Sequence, residues 1–335
     1  MQGQDPLSQT DSTPSADTPR LASRPDSALM EIFLGPNGLR AGWRLLVFLG
    51  IVCFLFFAVG LVMYFANLAS GNRAISLSML TPAGLGLSEA TIFLVVCVAA
   101  LVMARIEHRS FSEYGLPLSK AFDPDFWRGT LWGFLSISGT LLVIFLFRGF
   151  RITGLAIHGT TILSATAAWS GTFLIVGWAE EFAFRGYPLF TLTTGIGFWP
   201  AAFVVSALFG LAHAGNGGET VFGLFSVMVF SLLFCLFLQR TGDLWLAVGF
   251  HAGWDWGQTF FYGVPDSGIP PYHSLLSSAF HGSKWLTGGT VGPEASVITS
   301  ITLAIVAILF ARAYPENRCR TVPARSPEAF ADAAG

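Results

Sequence analysis

The sequence predicts an all-α integral membrane protein, a polytopic bundle of about eight transmembrane helices. Three observations carry that prediction. Apolar and aromatic residues make up 53% of the 335-residue chain, whereas charged residues make up only 11%. A soluble globular domain carries roughly 25% charged residues. The apolar residues also fall in long blocks, several reaching the ~20 residues that a helix needs to cross a bilayer. Finally, the positive charges are divided unevenly between the two sides of those blocks.

From the N-terminus, residues 1 to about 40 are rich in Ser, Pro, Asp and Thr and lack apolar periodicity. They read as a disordered cytoplasmic tail. No signal peptide precedes the first apolar run, which begins near Trp43. The membrane bundle is expected over residues 41–314. Its spans lie near 43–66, 83–104, 129–148, 161–181, 197–213, 220–239, 243–262 and 296–313. Residues 263–295 form a long Gly/Pro/Ser-rich connection, expected to be ordered over the outer face with Trp285 at the interface. A polar tail, residues 315–335, closes the chain. Cys53, Cys97 and Cys235 lie in apolar blocks and read as small hydrophobes, and Cys319 stands alone in the tail.

The positive-inside rule sets the orientation. With both ends in the cytoplasm, only Arg73, Arg148, Arg151 and Lys284 of the 18 basic residues fall outside. The protein is therefore expected in the cell membrane, with both termini cytoplasmic and the lipid bilayer as its environment. A formal net charge of −2 gives no reason to expect a nucleic-acid partner.

Ionisable side chains within spans are costly and mark function by default. Glu180, Glu181 and Arg185 follow one apolar run. On a helix Glu181 and Arg185 share a face four residues apart, acid before base, which is the favourable order. Glu180 points about 100° away and is left free to act as a general base. Phe209 and His213 lie one turn apart on the next span. His251 and Asp255 share a face on a third, where the carboxylate can fix the imidazole tautomer or share a ligand task. Each cluster alone is also compatible with an ordinary membrane-edge charge group, an interfacial histidine or a local structural pair. Packed together, they make a pocket suited to water activation and oxyanion stabilisation. The same imidazoles and carboxylate also suit zinc, although no HExxH motif is present.

The order E-E-x-x-x-R, then F-x-x-x-H, then H-x-x-x-D on separate apolar segments resembles the CAAX protease and bacteriocin-processing (Abi) family of intramembrane endopeptidases. Gly186 after the arginine, the run Gly242-Asp243-Leu244-Trp245, and the upstream Phe111–Pro117 segment add to the likeness. It covers residues 165–262. The resemblance implies an enzyme that hydrolyses a peptide or protein substrate near the membrane. It implies Glu180 as the activator of water, His213 as its assistant, and His251 with Asp255 stabilising the oxyanion. Glu181, Arg185 and Phe209 are supporting residues. Asp255 stands where Asn is common, and an ionised Asp cannot donate to an oxyanion.

Members have been described as both glutamic and metalloproteases. If zinc binds here, the expected ligands are His213, His251 and Asp255. The metal-free form is favoured, because the Glu181–Arg185 pair leaves Glu180 free and the three ligands lack a compact motif. Cleavage is expected near the cytoplasmic face. Two other readings use the same residues: a transporter or channel, for which no internal repeat is visible, and a catalytically silent scaffold.

Overall fold

The structure, a computed structural model, describes residues 32–35, 38–70 and 78–319. It is a helical bundle. The main helices are α1 (Ala41–Ala69), α2 (Pro82–Ile106), α3 (Pro124–Leu146), α4 (Thr160–Arg185), α5 (Tyr187–Ile196), α6 (Phe198–Ala212), α7 (Val221–Thr241), α8 (Trp245–Asp255) and α9 (Val297–Ala313). By length and composition α1, α2, α3, α4 with α5, α6 and α7 can each cross a membrane. Six helices among the described residues thus reach spanning length where eight spans were expected; α9 is a shorter apolar helix, and the expected seventh span holds the 11-residue α8.

Apolar residues turn outward as well as inward, as a lipid solvent permits. On α1 the buried residues are Ala41, Arg44 and Phe48, all at one end, while Phe54, Phe57 and Val62 face outward. In contrast, α8 is buried along nearly its whole length. Lipid offers no hydrophobic drive between helices, so close approach through small residues must hold such a helix in place. Gly129 and Gly133 on α3 meet Gly249 and Gly253 on α8. A Cβ on Gly133 would lie 2.0 Å from the Phe250 carbonyl oxygen, and one on Gly253 would lie 2.2 Å from that of Thr130. Both glycine pairs have the small-xxx-small spacing. On the other side of α8, a Cβ on Gly177 of α4 would lie 2.9 Å from the Val248 carbonyl oxygen. These contacts fix the height of His251 against Glu180 and Glu181.

The end that carries the basic residues is stitched by buried polar contacts. Arg44 of α1 pairs with Glu107 at 3.0 Å and donates to Thr194 of α5. Tyr187 donates to the same Glu107, so α1, α2 and α5 are tied at one point. Asp243 accepts from Lys120 at 2.8 Å and from the Trp245 backbone, and Trp245 Nε1 donates to the Pro117 carbonyl. Gly115, with φ of 92°, gives its carbonyl to Leu244 N. The Phe111–Pro117 segment thus packs on the corner where α8 begins.

At the opposite end, the 263–295 connection is built into the fold. Strand β2 (Leu276–Phe280) pairs antiparallel with β1 (Phe150–Leu155), which follows α3. Gly292 lies against the Pro265 carbonyl, and Ser296 Oγ donates to the Leu286 carbonyl. Trp285 is exposed and packs edge-on against Phe222 at 5.1 Å.

Two expectations need adjustment. The fourth span does not stop at residue 181 but runs to Arg185 and turns at Gly186 into the short α5. Most of the N-terminal tail expected over 1–40 lies outside the described residues, as does 320–335. Residues 315–319, expected to be unstructured, begin by docking: Arg318 N and Cys319 N both donate to the Gln239 carbonyl.

The glycine contacts make a sharp test. Gly253→Ala must push α8 off α3 and is expected to cost about 1–3 kcal/mol by overpacking. Gly139→Ala on α3, where a Cβ meets nothing within 4 Å, should be neutral. Thermal unfolding of the purified variants in detergent compares the two, and equal stability would contradict the packing account.

Candidate active site

The second glutamate of the pair anchors the site. Glu181 and Arg185 are both fully buried and 3.3 Å apart, one turn apart on α4. The same Oε1 of Glu181 also takes a hydrogen bond from His251 Nδ1 at 2.9 Å. One carboxylate oxygen therefore serves two partners on two helices. Arg185 Nε and Nη2 have no hydrogen-bond partner among the described residues. Aromatic rings cover the guanidinium instead: Phe209 lies 4.3 Å from it and Phe234 5.4 Å. Such cation–π contacts are worth up to ~2 kcal/mol when desolvated.

Phe209 passes this arrangement on to the third helix. Its ring centroid is 4.8 Å from that of His213, whose Nδ1 lies 2.8 Å from the Phe209 carbonyl oxygen. A carbonyl only accepts, so Nδ1 carries a proton, and Nε2 is an acceptor whenever the ring is neutral. On the other side, His251 stacks on Phe234 at 5.3 Å. His251 Nε2 lies 3.7 Å from Glu180 Oε2 and 3.4 Å from Asp255 Oδ2. The sequence paired His251 with Asp255 alone, but the hydrogen bond that fixes its ring goes to Glu181, because α4 and α8 touch closely at Gly177.

Glu180, Phe209, His213, His251 and Asp255 all line one cavity of about 320 Å³. Glu181 and Arg185 lie behind its wall and hold His251 from there. His213 reaches the cavity although it follows α6 in the chain, because α5 turns the chain at Gly186 and Gly197 before α6 sets out. Every connecting residue on the lining, from Met79 and Asn216 to Asp266 and Glu294, belongs to the end opposite the basic residues. The cavity therefore reaches inward from the end of the bundle that holds those connecting residues. Phe111, Tyr114, Phe182, Tyr187 and Leu244 pack together in the core on the basic side.

Three carboxyls on this lining were not singled out from the sequence. Glu89 of α2 is 8% exposed, and its buried Oε2 has no hydrogen-bond partner among the described residues. A lone acid inside an apolar span is itself a functional signal, and that signal was available. Asp266 and Glu294 lie in the 263–295 connection, where nothing in the local sequence marks them. Thr259 Oγ1 donates to Asp266 Oδ2, and Ser267 donates to Glu294 Oε2 through both N and Oγ. Burial, and then the neighbouring Asp266 carboxyl, pushes Glu294 up to about 8. Burial likewise pushes Asp266 up to about 6.

The zinc set read from the sequence differs from the group of ligand atoms that lie closest together. Among the described residues, the group whose ligand atoms lie within 4.8 Å of one another is Asp255, Asp266 and Glu294. It contains neither His213 nor His251. An all-carboxylate set suits hard cations rather than zinc.

With this geometry in view, the chain matches the family described as type II CAAX prenyl endopeptidase Rce1-like over residues 162–257. That match agrees with the resemblance to the CAAX protease and bacteriocin-processing family carried by the three motifs. The match runs from α4 to the first π-helical residues after α8, and so contains all seven residues of the three motifs. The matched region is thus carried on α4 to α8, with α1–α3 and α9 packed around it. No curated protein matches the chain.

Removal of Arg185 leaves a fully buried acid without its cation, a change that typically costs 3–5 kcal/mol. Arg185→Ala is expected to lose expression and thermal stability on that scale, while Glu180→Gln loses far less. The opposite order, read by thermal unfolding, would reverse the structural and chemical roles given to the two glutamates.

Proposed function

We propose that this protein is an intramembrane endopeptidase that hydrolyses peptide bonds with water activated by Glu180. One observation supports this above the others. Of the adjacent glutamates, Glu181 is consumed by Arg185 and His251, whereas Glu180 faces the cavity with an oxygen 3.7 Å from His251 Nε2. A carboxylate in that position can take a proton from water as the water oxygen attacks the carbonyl carbon. His213, with Nε2 as an acceptor, is suited to orient that water. When both its nitrogens are protonated, His251 donates through Nδ1 to Glu181 and through Nε2 to the oxyanion. Asp255 contributes a donor there only when protonated, and otherwise holds His251 Nε2. Glu180 then returns its proton to the leaving amine, which closes the cycle without a covalent intermediate.

The protein is an integral membrane protein, and both termini are assigned to the cytoplasmic side on the basic-residue asymmetry. On that assignment the cavity is reached from the outer half of the bilayer. Reporter fusions at the two termini check the orientation, and an external C-terminus would invert the direction of access.

The direct test uses the purified full-length protein and a library of apolar peptides, with mass spectrometry of the products. Cleavage is expected for the wild type and a loss of at least about 100-fold for Glu180→Gln, the lower end of what a general base contributes. Full activity in a folded Glu180→Gln protein would sink the assignment. A transporter reading would instead require solute movement that depends on the same residues.

A further inference from the structure

Five carboxyl side chains line the cavity: Glu89, Glu180, Asp255, Asp266 and Glu294. No lysine or arginine is among the lining residues, and His213 and His251 are the lining's basic groups. Three of the carboxyls converge, with one oxygen each of Asp255, Asp266 and Glu294 within 4.8 Å of the others. Asp255 lies 3.4 Å from His251 Nε2, whereas the other two are oriented rather than neutralised. Thr259 holds Asp266, and Ser267 holds Glu294 twice, in each case through neutral donors. The second observation comes from a separate helix. Glu89 adds to the same cavity a buried Oε2 with no hydrogen-bond partner among the described residues, although nine-tenths of the residue is out of contact with solvent. Ionised acids buried in such number are costly, and either protons or a cation must relieve them.

Resting on the endopeptidase reading, we propose that this cavity selects its substrate by a cationic side chain, lysine or arginine, next to the scissile bond. The ammonium or guanidinium seats at Asp255, Asp266 and Glu294. Asp255 Oδ2 lies 3.4 Å from His251 Nε2, so a group seated there is adjacent to the reacting centre. Apolar walls at Trp169, Phe173 and Phe230 receive the aliphatic stem and the neighbouring apolar residues. A site built to satisfy a substrate's polar group rejects an analogue that lacks it far more strongly than an apolar pocket rejects a missing methylene.

The experiment compares three peptides of one apolar sequence, with lysine, norleucine or glutamate beside the cleaved bond, on the full-length protein in lipid. The lysine peptide is expected to exceed norleucine in kcat/KM by at least about tenfold, with glutamate slowest. In Asp266→Asn and Glu294→Gln proteins the lysine-to-norleucine ratio should collapse towards one. Cleavage of all three peptides at similar rates would overturn the inference and leave the endopeptidase reading standing. If no peptide is cleaved, that reading fails, and fluorescence binding of the same peptides decides the inference. Tighter binding of the lysine peptide, lost in Glu294→Gln, supports a cation subsite, and equal binding overturns it. Stoichiometric calcium that the lysine peptide cannot displace would also overturn it, assigning the three carboxyls to an ion instead.

Discussion

One oxygen of Glu181 carries much of this structure. It holds Arg185 within its own helix and His251 on another, at a depth where neither water nor lipid can replace either partner. Leaving any member of such a buried set unpaired is expensive, so the three side chains specify each other's place. Phe209 and Phe234 extend the constraint, because both rings face the guanidinium while one also meets His213 and the other stacks on His251. Residues from four helices are thus positioned around a group that never touches the cavity.

That polar anchor works only because the backbones come close. Gly177 brings α4 to α8, and the facing glycines of α3 and α8 remove the side chains that would hold the helices apart. In a bilayer the hydrophobic effect cannot choose a helix register, since every apolar face is equally content in lipid. Small residues and buried polar contacts make the choice, and here both act on α8. Beyond α8 the helix widens into a π segment at Trp256–Phe261, a distortion frequent at functional sites, and leads into the connection that supplies Asp266.

Much of this was legible in the chain. Long apolar blocks gave eight helical segments within a few residues of their boundaries, because span length is imposed by the bilayer rather than by tertiary context. The i,i+4 spacing of Glu181 and Arg185 was sufficient to foresee their contact. What the sequence hid was contact between segments. His251 was paired with Asp255, its neighbour one turn away, whereas its hydrogen bond goes 70 residues back to Glu181. Asp266 and Glu294 sit in a turn-rich connection whose packing over the cavity depends on the β1–β2 pairing. Glu89 differs, since a carboxyl within an apolar span is visible in the sequence itself.

The claim at the centre of the account is that water, and no side chain, attacks the peptide carbonyl. Single-turnover cleavage in ¹⁸O-enriched water with hydroxylamine present tests it most directly. The account predicts one ¹⁸O atom in the new carboxylate and no hydroxamate product. A hydroxamate fragment would reveal a covalent acyl intermediate, and Glu180 could not then be the residue that delivers water to the bond.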